Sequence, residues 1–328
     1  MTRLAAAFAV LLAGCSIAAA QSSSKDTWPN RPVTLVVPLA AGGGSDGLIR
    51  VVTPRLSEIL GQSVIVENVG GAGGMIGASR VSKATPDGYQ MLLGTSGTQA
   101  TNQSIYAKPL YDAATDFTPV GLIFEVPQVL LVKKDLPVNN LKEFTAYAKA
   151  NQGTMQFGSS GAGGTGHLGC LLLNTKLGVD VTHVPYRGGG PAMQDLVAGR
   201  IDYQCALANL AMPQIEGKNV KAIAVLTPER SPLMPNISSL GEQGLPDFDA
   251  SAWNVIVLPK DTPRDIADKL HKAMFEALDT PAVRDRLNQM GATVVPKERR
   301  SSAYLQKWTE AEIAKWAETI KAAGIVPQ

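Results

Sequence analysis

Twice in this chain an apolar, β-like run ends in a cluster of glycines, and a helix-like run follows. The first copy runs Val33-Thr34-Leu35-Val36-Val37-Pro38 into Leu39-Ala40-Ala41-Gly42-Gly43-Gly44-Ser45-Asp46. The second runs Met155-Gln156-Phe157-Gly158 into Ser159-Ser160-Gly161-Ala162-Gly163-Gly164-Thr165-Gly166-His167. A glycine-rich turn lets main-chain N–H groups face a ligand without side chains in the way. The helix start behind each turn adds unpaired N–H groups and a positive dipole end, so each loop suits an anion. One such loop in each half of the chain predicts two domains that grip one acidic ligand between them.

A length of 328 residues fits about two domains. The formal net charge of +2, from 30 Lys+Arg and 28 Asp+Glu, is too small and too evenly spread to mark a nucleic-acid binder. With three histidines and no Cys/His spacing typical of metal ligands, no metal or cofactor is expected.

The start of the chain reads as a targeting segment. Arg3 supplies a basic n-region, and Leu4 to Leu12 is apolar but too short to span a bilayer. Two exits compete. Leu12-Ala13-Gly14-Cys15 reads as a lipobox, which makes 1–14 a lipoprotein signal and Cys15 a lipidation site. Ala18-Ala19-Ala20 before Gln21 reads as an ordinary cleavage site, which makes 1–20 a signal peptide. Either exit places the protein outside the cytoplasmic membrane, in a bacterial periplasm. Cys170 and Cys205 then remain. A disulfide is permitted there, but both read as buried free thiols on core elements.

Gln21 to Arg31 reads as a flexible tether. Strands are expected at 33–37, 63–67 and 91–94, with helices at 47–60 and 75–83 between them. Pro54 is expected to kink or weaken the first helix. The apolar run Val120 to Val132, broken by Pro127, reads as a connection into a second domain. Beyond it, helices at 141–151, 167–177 and 191–198 alternate with strands at 155–158, 180–185, 201–206 and 220–226, and 251–258 crosses back. Three helical stretches follow, at Thr262-Pro263, Thr280-Pro281 and Ser301 to Ala323. The expected fold class is therefore α/β, with two domains, each a mainly parallel sheet flanked by helices. Domain 1 takes 31–125 plus 254–328, and domain 2 takes 126–253.

The first loop matches two enzyme motifs. Gly42-x-Gly44-x-x-Gly47, with Glu67 ending the next strand, fits a dinucleotide fingerprint. Gly43-x-Ser45-x-Gly47 fits a nucleophile elbow, and a hydrolase using Ser45 is the alternative function. The export signal and Asp46 speak against a dinucleotide. The loop's place after the first strand speaks against the elbow, because no earlier strand can supply the second oxyanion donor. Glycines that serve packing alone are the third reading. In the second loop, Ser159, Ser160 and Thr165 add hydroxyls suited to a carboxylate, and His167 could donate to a ligand or bond the backbone. His183 reads as structural and His271 as solvated. Thr95-Ser96-Gly97 and Pro185-Tyr186-Arg187 end strands at edges where ligands bind in open α/β sheets. Arg187 could clamp a carboxylate or simply be solvated; Asp202 could reach the cleft or cap a turn.

Taken in order, these residues resemble the Bug family, the extracytoplasmic substrate-binding components of tripartite tricarboxylate transporters. The resemblance runs from about Trp28 to Val326. It rests on Trp28-Pro29-x-Arg31-Pro32-Val33, Val36-Val37-Pro38 with Gly42-Gly43 and Asp46, and Glu67-Asn68 followed by Gly70-Gly71-Ala72-Gly73-Gly74. It rests further on Pro86-Asp87-Gly88-Tyr89, Gly158-Ser159-Ser160-Gly161 with His167-Leu168, Val184-Pro185-Tyr186-Arg187-Gly188, and Gly199-x-Ile201-Asp202. It implies a Venus-flytrap, periplasmic-binding-protein-like fold and a monomer without enzymatic activity. The implied ligand is a small organic acid, held mainly by main-chain N–H groups and bridging waters, and the implied partners are membrane permease subunits. A carboxylate sensor for signalling is the other role such a fold would serve. The site residues it carries over are Leu39, Ala40, Gly43, Asp46, Thr95 and Ser96 on one side. On the other they are Ser159, Ser160, Gly161, Thr165, His167, Tyr186 and Asp202. Leu39-Ala40-Ala41, Gly44, Pro54, Gly166 and Cys170 depart from the family pattern.

Overall fold

The computed structural model describes residues 28–322 and 324–327. The segments expected as a signal peptide (1–20) or a lipoprotein signal (1–14), with Cys15, lie outside the described residues. The described chain forms β1 (Val33–Val37), α1 (Gly44–Leu60), β2 (Val64–Asn68), α2 (Met75–Ser82) and β3 (Gln90–Thr95). A π-helical turn at Gly97–Thr101 then leads into α3 (Asn102–Ile105), β4 (Phe117–Val126) and β5 (Gln128–Lys133). Next come α4 (Leu141–Asn151), β6 (Gln156–Ser159), α5 (Thr165–Leu177), β7 (Thr182–Pro185) and α6 (Gly189–Val197). They are followed by β8 (Tyr203–Leu207), α7 (Ala208–Glu216), β9 (Val220–Val225) and β10 (Ala252–Pro259). The chain closes with α8 (Arg264–Asp279), α9 (Pro281–Gln289), β11 (Thr293–Val294) and α10 (Ser302–Ala322).

Two sheets result, each the centre of one lobe. The first has the order β11-β4-β10-β3-β1-β2 and the second β7-β6-β8-β5-β9. The chain leaves the first sheet at Pro127, between β4 and β5, and returns just before β10. Each sheet is half parallel. β1 pairs in parallel with β2 and β3, and β6 with β7 and β8, whereas β10, β4, β11, β5 and β9 pair antiparallel. The two-lobe α/β architecture agrees with the sequence reading. The strand directions are more mixed, because the two crossover segments enter each sheet against its parallel half.

Both faces of the first sheet are covered, so its strands are apolar on both sides. Leu35 of β1 packs with Leu48, Ile49 and Leu56 of α1 and Met274 of α8, while its neighbour Val36 joins Met75 of α2 and Trp316 of α10 on the other face. The second lobe centres on Phe144, Phe157, Leu173 and Tyr203.

Several local expectations change. Trp28 is buried against Tyr89 and its carbonyl accepts from Lys269 Nζ at 2.6 Å, so the N-terminal tether cannot extend past it. α1 runs unbroken through Pro54, which lies on the exposed face, where the missing N–H is cheapest to solvate. His271 is half-buried with Nδ1 2.8 Å from the Val120 carbonyl, because α8 turns that face onto β4. Cys170 and Cys205 are joined in a disulfide with a Cα–Cα distance of 5.5 Å, in place of the expected free thiols. Their separation of 35 residues hides the contact in sequence; α5 laid along β8 creates it.

Candidate ligand cleft between the two lobes

The parallel half of each sheet carries its loops at the carboxyl ends of the strands, and these ends face each other. Beyond β1, the Gly42 N–H donates to Asp46 Oδ2 at 2.9 Å. Asp46 Oδ1 accepts from Arg50 Nε and from Asn68 Nδ2, each at 2.9 Å. Asn68 Nδ2 also donates to the Leu39 carbonyl at 3.0 Å. Asp46 is therefore a buried brace that shapes the loop. Burial pushes its carboxyl upward, but the hydrogen bonds from Arg50, Gly42 and Asn68 and the Arg50 charge outweigh it and hold the pKa below the usual range. The braced loop delivers Gly43 as the residue that opens α1, and no side chain caps the helix start.

The second loop is built the same way. Gly164 opens α5, again without a side-chain cap. Ser159 Oγ accepts from the Gly161 N–H at 3.1 Å and lies 2.6 Å from His183 Nε2. The Gly163 N–H donates to His167 Nδ1 at 3.2 Å. The two imidazoles lie with centroids 4.1 Å apart and planes tilted by 30°, and Phe157 stacks on both. Burial, and then the His183 charge, push His167 down to about 3; burial pushes His183 down to about 4. Both rings are neutral near neutral pH, and His167 serves as an acceptor that fixes the loop.

Across the cleft the lobes touch through main chain, hydroxyls and the Asn209 amide. The Ala40 N–H donates to the Arg187 carbonyl at 3.0 Å. The Ser96 and Thr165 hydroxyls meet at 3.0 Å. Thr101 Oγ1 donates to the Gly163 carbonyl at 2.8 Å, Tyr106 OH to Ala162 at 2.9 Å, and Asn209 Nδ2 to Gly44 at 2.8 Å. Two helix starts without side-chain caps thus border the cleft, one from each lobe, with Gly43 beside Gly189 and Gly164 beside Gly97 across it. Such an arrangement stabilises negative charge without a formal cation.

Most residues singled out in the sequence converge here. Leu39, Ala40, Gly43, Asp46, Thr95 and Ser96 lie on the first-lobe side. Ser159, Ser160, Gly161, Thr165 and His167 lie on the second-lobe side. Tyr186 borders the loop through its main chain, whose N–H donates to the Ser159 carbonyl at 3.1 Å. Its hydroxyl turns away to Asp195 at 2.7 Å. Asp202 does not join them. It precedes β8 at the amino end of the parallel strands, accepting from the Gln156 N–H at 2.7 Å and pairing with Lys133 at 2.6 Å. Arg187 is exposed and contributes its carbonyl, and Glu67 is bound to Arg80 at 2.5 Å.

Sequence reasoning missed Thr101, Tyr106 and Asn209, which bridge the lobes, and the bond of His183 to the loop. Asn209 sits on α7, a helix hidden by its internal Pro213. Ser45 is buried, and its hydroxyl accepts from Asn254 Nδ2 at 3.4 Å. The histidines bond instead to Ser159, Gly163 and Val120, so none stands as a base for Ser45. Among the described residues no group of three or more His, Cys, Asp or Glu could hold a metal ion. No described helix is long and apolar enough to cross a membrane.

Residues 48–325 match the family described as tripartite tricarboxylate transporter family receptor. The chain belongs to this receptor family. Solved structures of similar sequence agree. The structure of the periplasmic binding protein BugD is 37% identical with a TM-score of 0.89, covering 92% of this chain and 100% of BugD. MatC from Rhodopseudomonas palustris with bound malate is 39% identical with a TM-score of 0.87, covering 89% of this receptor and 99% of MatC. A further R. palustris protein, solved with adipate, is 37% identical with a TM-score of 0.87 and covers 92% of this receptor and 100% of its own chain. The two-lobe fold of this receptor is that of the periplasmic binding proteins.

Proposed function

We propose that this receptor captures a small carboxylate-bearing organic acid between its lobes and presents the closed form to permease subunits of a tripartite tricarboxylate transporter. The observation that carries the reading is the pair of glycine-opened helix starts, α1 and α5, one from each lobe, that border the cleft without side-chain caps. Lobes 31–125 plus 254–328 and 126–253 move as two bodies, swinging about Pro127 and the segment before β10. A ligand that bridges both loops makes all its contacts only in the closed form, and that differential affinity drives closure. The malate and adipate held by the related proteins support a dicarboxylate as the ligand. The Cys170–Cys205 bond fits an oxidising compartment and supports a periplasmic location.

Calorimetric titration with malate, adipate, citrate, benzoate and the diamide of adipate tests the proposal. At least one carboxylate is expected to bind with a Kd of about 1 μM or tighter, and the diamide is not. At a hundredfold excess over Kd that acid adds about 2.7 kcal/mol of stability and raises Tm. If no carboxylate gives heat or moves Tm, the proposal fails.

A further inference from the structure

α5 is held by both lobes. Leu168 is buried in an apolar cluster otherwise built from the first lobe, and Leu172 lies against that cluster and against the core of the second. The opposite face of α5 is made of Gly166, Gly169 and Cys170, at the i, i+3, i+4 spacing of one helical stripe. A Cβ on Gly166 would lie 2.7 Å from the Cys205 carbonyl oxygen, closer than any side chain tolerates. A Cβ on Gly169 would meet Gln128 Oε1 at the same 2.7 Å. One turn after Gly166, Cys170 is covalently joined to Cys205 of β8. The helix is thus pressed onto the sheet by two absent side chains and then tied there.

This seat decides where the ligand loop sits. Thr165 at the start of α5 meets Ser96 of the first lobe, and His167 accepts from the Gly163 N–H inside the loop. When the lobes part, Leu168 loses its first-lobe neighbours, and α5 needs another reason to stay on β8. We infer that Gly166 and the Cys170–Cys205 disulfide act as one positioning device. It keeps the start of α5, and with it the loop 159–167, in binding geometry while the cleft is open. Pre-formed, the loop accepts the first carboxylate without an ordering cost. The inference rests on the carboxylate reading above only for its affinity readout.

The test compares the intact protein with the Cys170→Ser/Cys205→Ser double variant and, separately, with Gly166→Ala, which keeps the disulfide but needs extra room at Cys205. Hydrogen exchange of amides 160–168 is measured without ligand, and adipate affinity by calorimetry. Both variants are expected to raise exchange in that segment about tenfold or more, with β5 and β8 amides changed less than about twofold. Adipate Kd is expected to rise about tenfold. Unchanged loop exchange overturns the inference, including when Tm falls, because a purely structural cross-link would lower Tm alone. If the double variant fails to fold, Gly166→Ala decides by the same criteria. If adipate fails to bind the intact protein, the exchange measurement still decides this inference and the ligand assignment falls separately.

Discussion

Replacing Gly73 with alanine is expected to weaken ligand binding by about 100-fold or more while both lobes stay folded. Gly73 belongs to the first lobe, in the turn before α2. A Cβ there would lie 2.0 Å from the Ala162 carbonyl oxygen and 3.0 Å from the Gly164 main-chain nitrogen, both in the ligand loop of the second lobe. These are backbone atoms, so no side-chain rotation relieves the clash. Parting the lobes does relieve it, and the substitution therefore acts on closure more than on folding. Its φ of 59° adds a strain of about 1–2 kcal/mol for a residue with a side chain, which is paid in both forms. The hydrogen bonds of Thr101 and Tyr106 to Gly163 and Ala162 open together with the cleft. A shift of about 2.7 kcal/mol toward the open form already accounts for 100-fold. Calorimetry reads the affinity, and small-angle scattering with saturating ligand reads the closure. Wild-type affinity in Gly73→Ala would mean that the lobes do not meet at this point when ligand is bound.

Acid is expected to destabilise the folded receptor well above the range where carboxylates titrate. His167 and His183 are pushed down to about 3 and about 4, against an ordinary value of 6.5. The folded chain keeps both rings neutral, while the unfolded chain takes up a proton on each near pH 6.5. The stability they allow is therefore complete above about pH 6.5 and is lost as pH falls toward the folded values. Each ring contributes a loss of about 1.4 kcal/mol per pH unit, so the pair costs about 2.7 kcal/mol per unit below about pH 6. The geometry gives the reason. Protonation sets two cations 4.1 Å apart and removes the lone pair that accepts the Gly163 N–H. Asp46, Glu67 and Asp279 also have lowered values, but their contributions disappear only below the ordinary carboxylate range of 3.8 to 4.5. Between about pH 7 and 5 the histidine pair sets the slope. Urea unfolding at about pH 7.5, 6 and 5 measures it, and His183→Gln is expected to halve it. A flat profile over that range would contradict the account.

The loops were legible because glycine clusters at the ends of apolar runs have a local cause and a local reading. Gly42 to Gly44 and Gly161 to Gly164 announce a turn and a helix start wherever they stand. The strand directions were not legible, since β10 reaches β3 and β4 from more than a hundred residues away and nothing in Ala252–Pro259 marks it as antiparallel. Asp202 shows the limit most clearly. Its neighbours identify a strand, but which end of that strand faces the cleft depends on the sheet. The disulfide and the bond between Ser159 and His183 were hidden for the same reason, because each joins two elements through tertiary packing. Gly73 was quoted within a glycine run, but its role follows only from Ala162 standing opposite it.

A crystal structure of the receptor grown with adipate would test most directly whether an anion is held by main-chain N–H groups from both walls of the cleft. The expected result is one carboxylate group of the acid within hydrogen-bond distance of main-chain nitrogens from both helix starts, residues 43–46 of α1 and 160–167 around α5. A carboxylate bound to one lobe alone would contradict the account. So would one seated instead in the cavity behind the hinge, lined by Thr227, Arg230, Ser251 and Asn288.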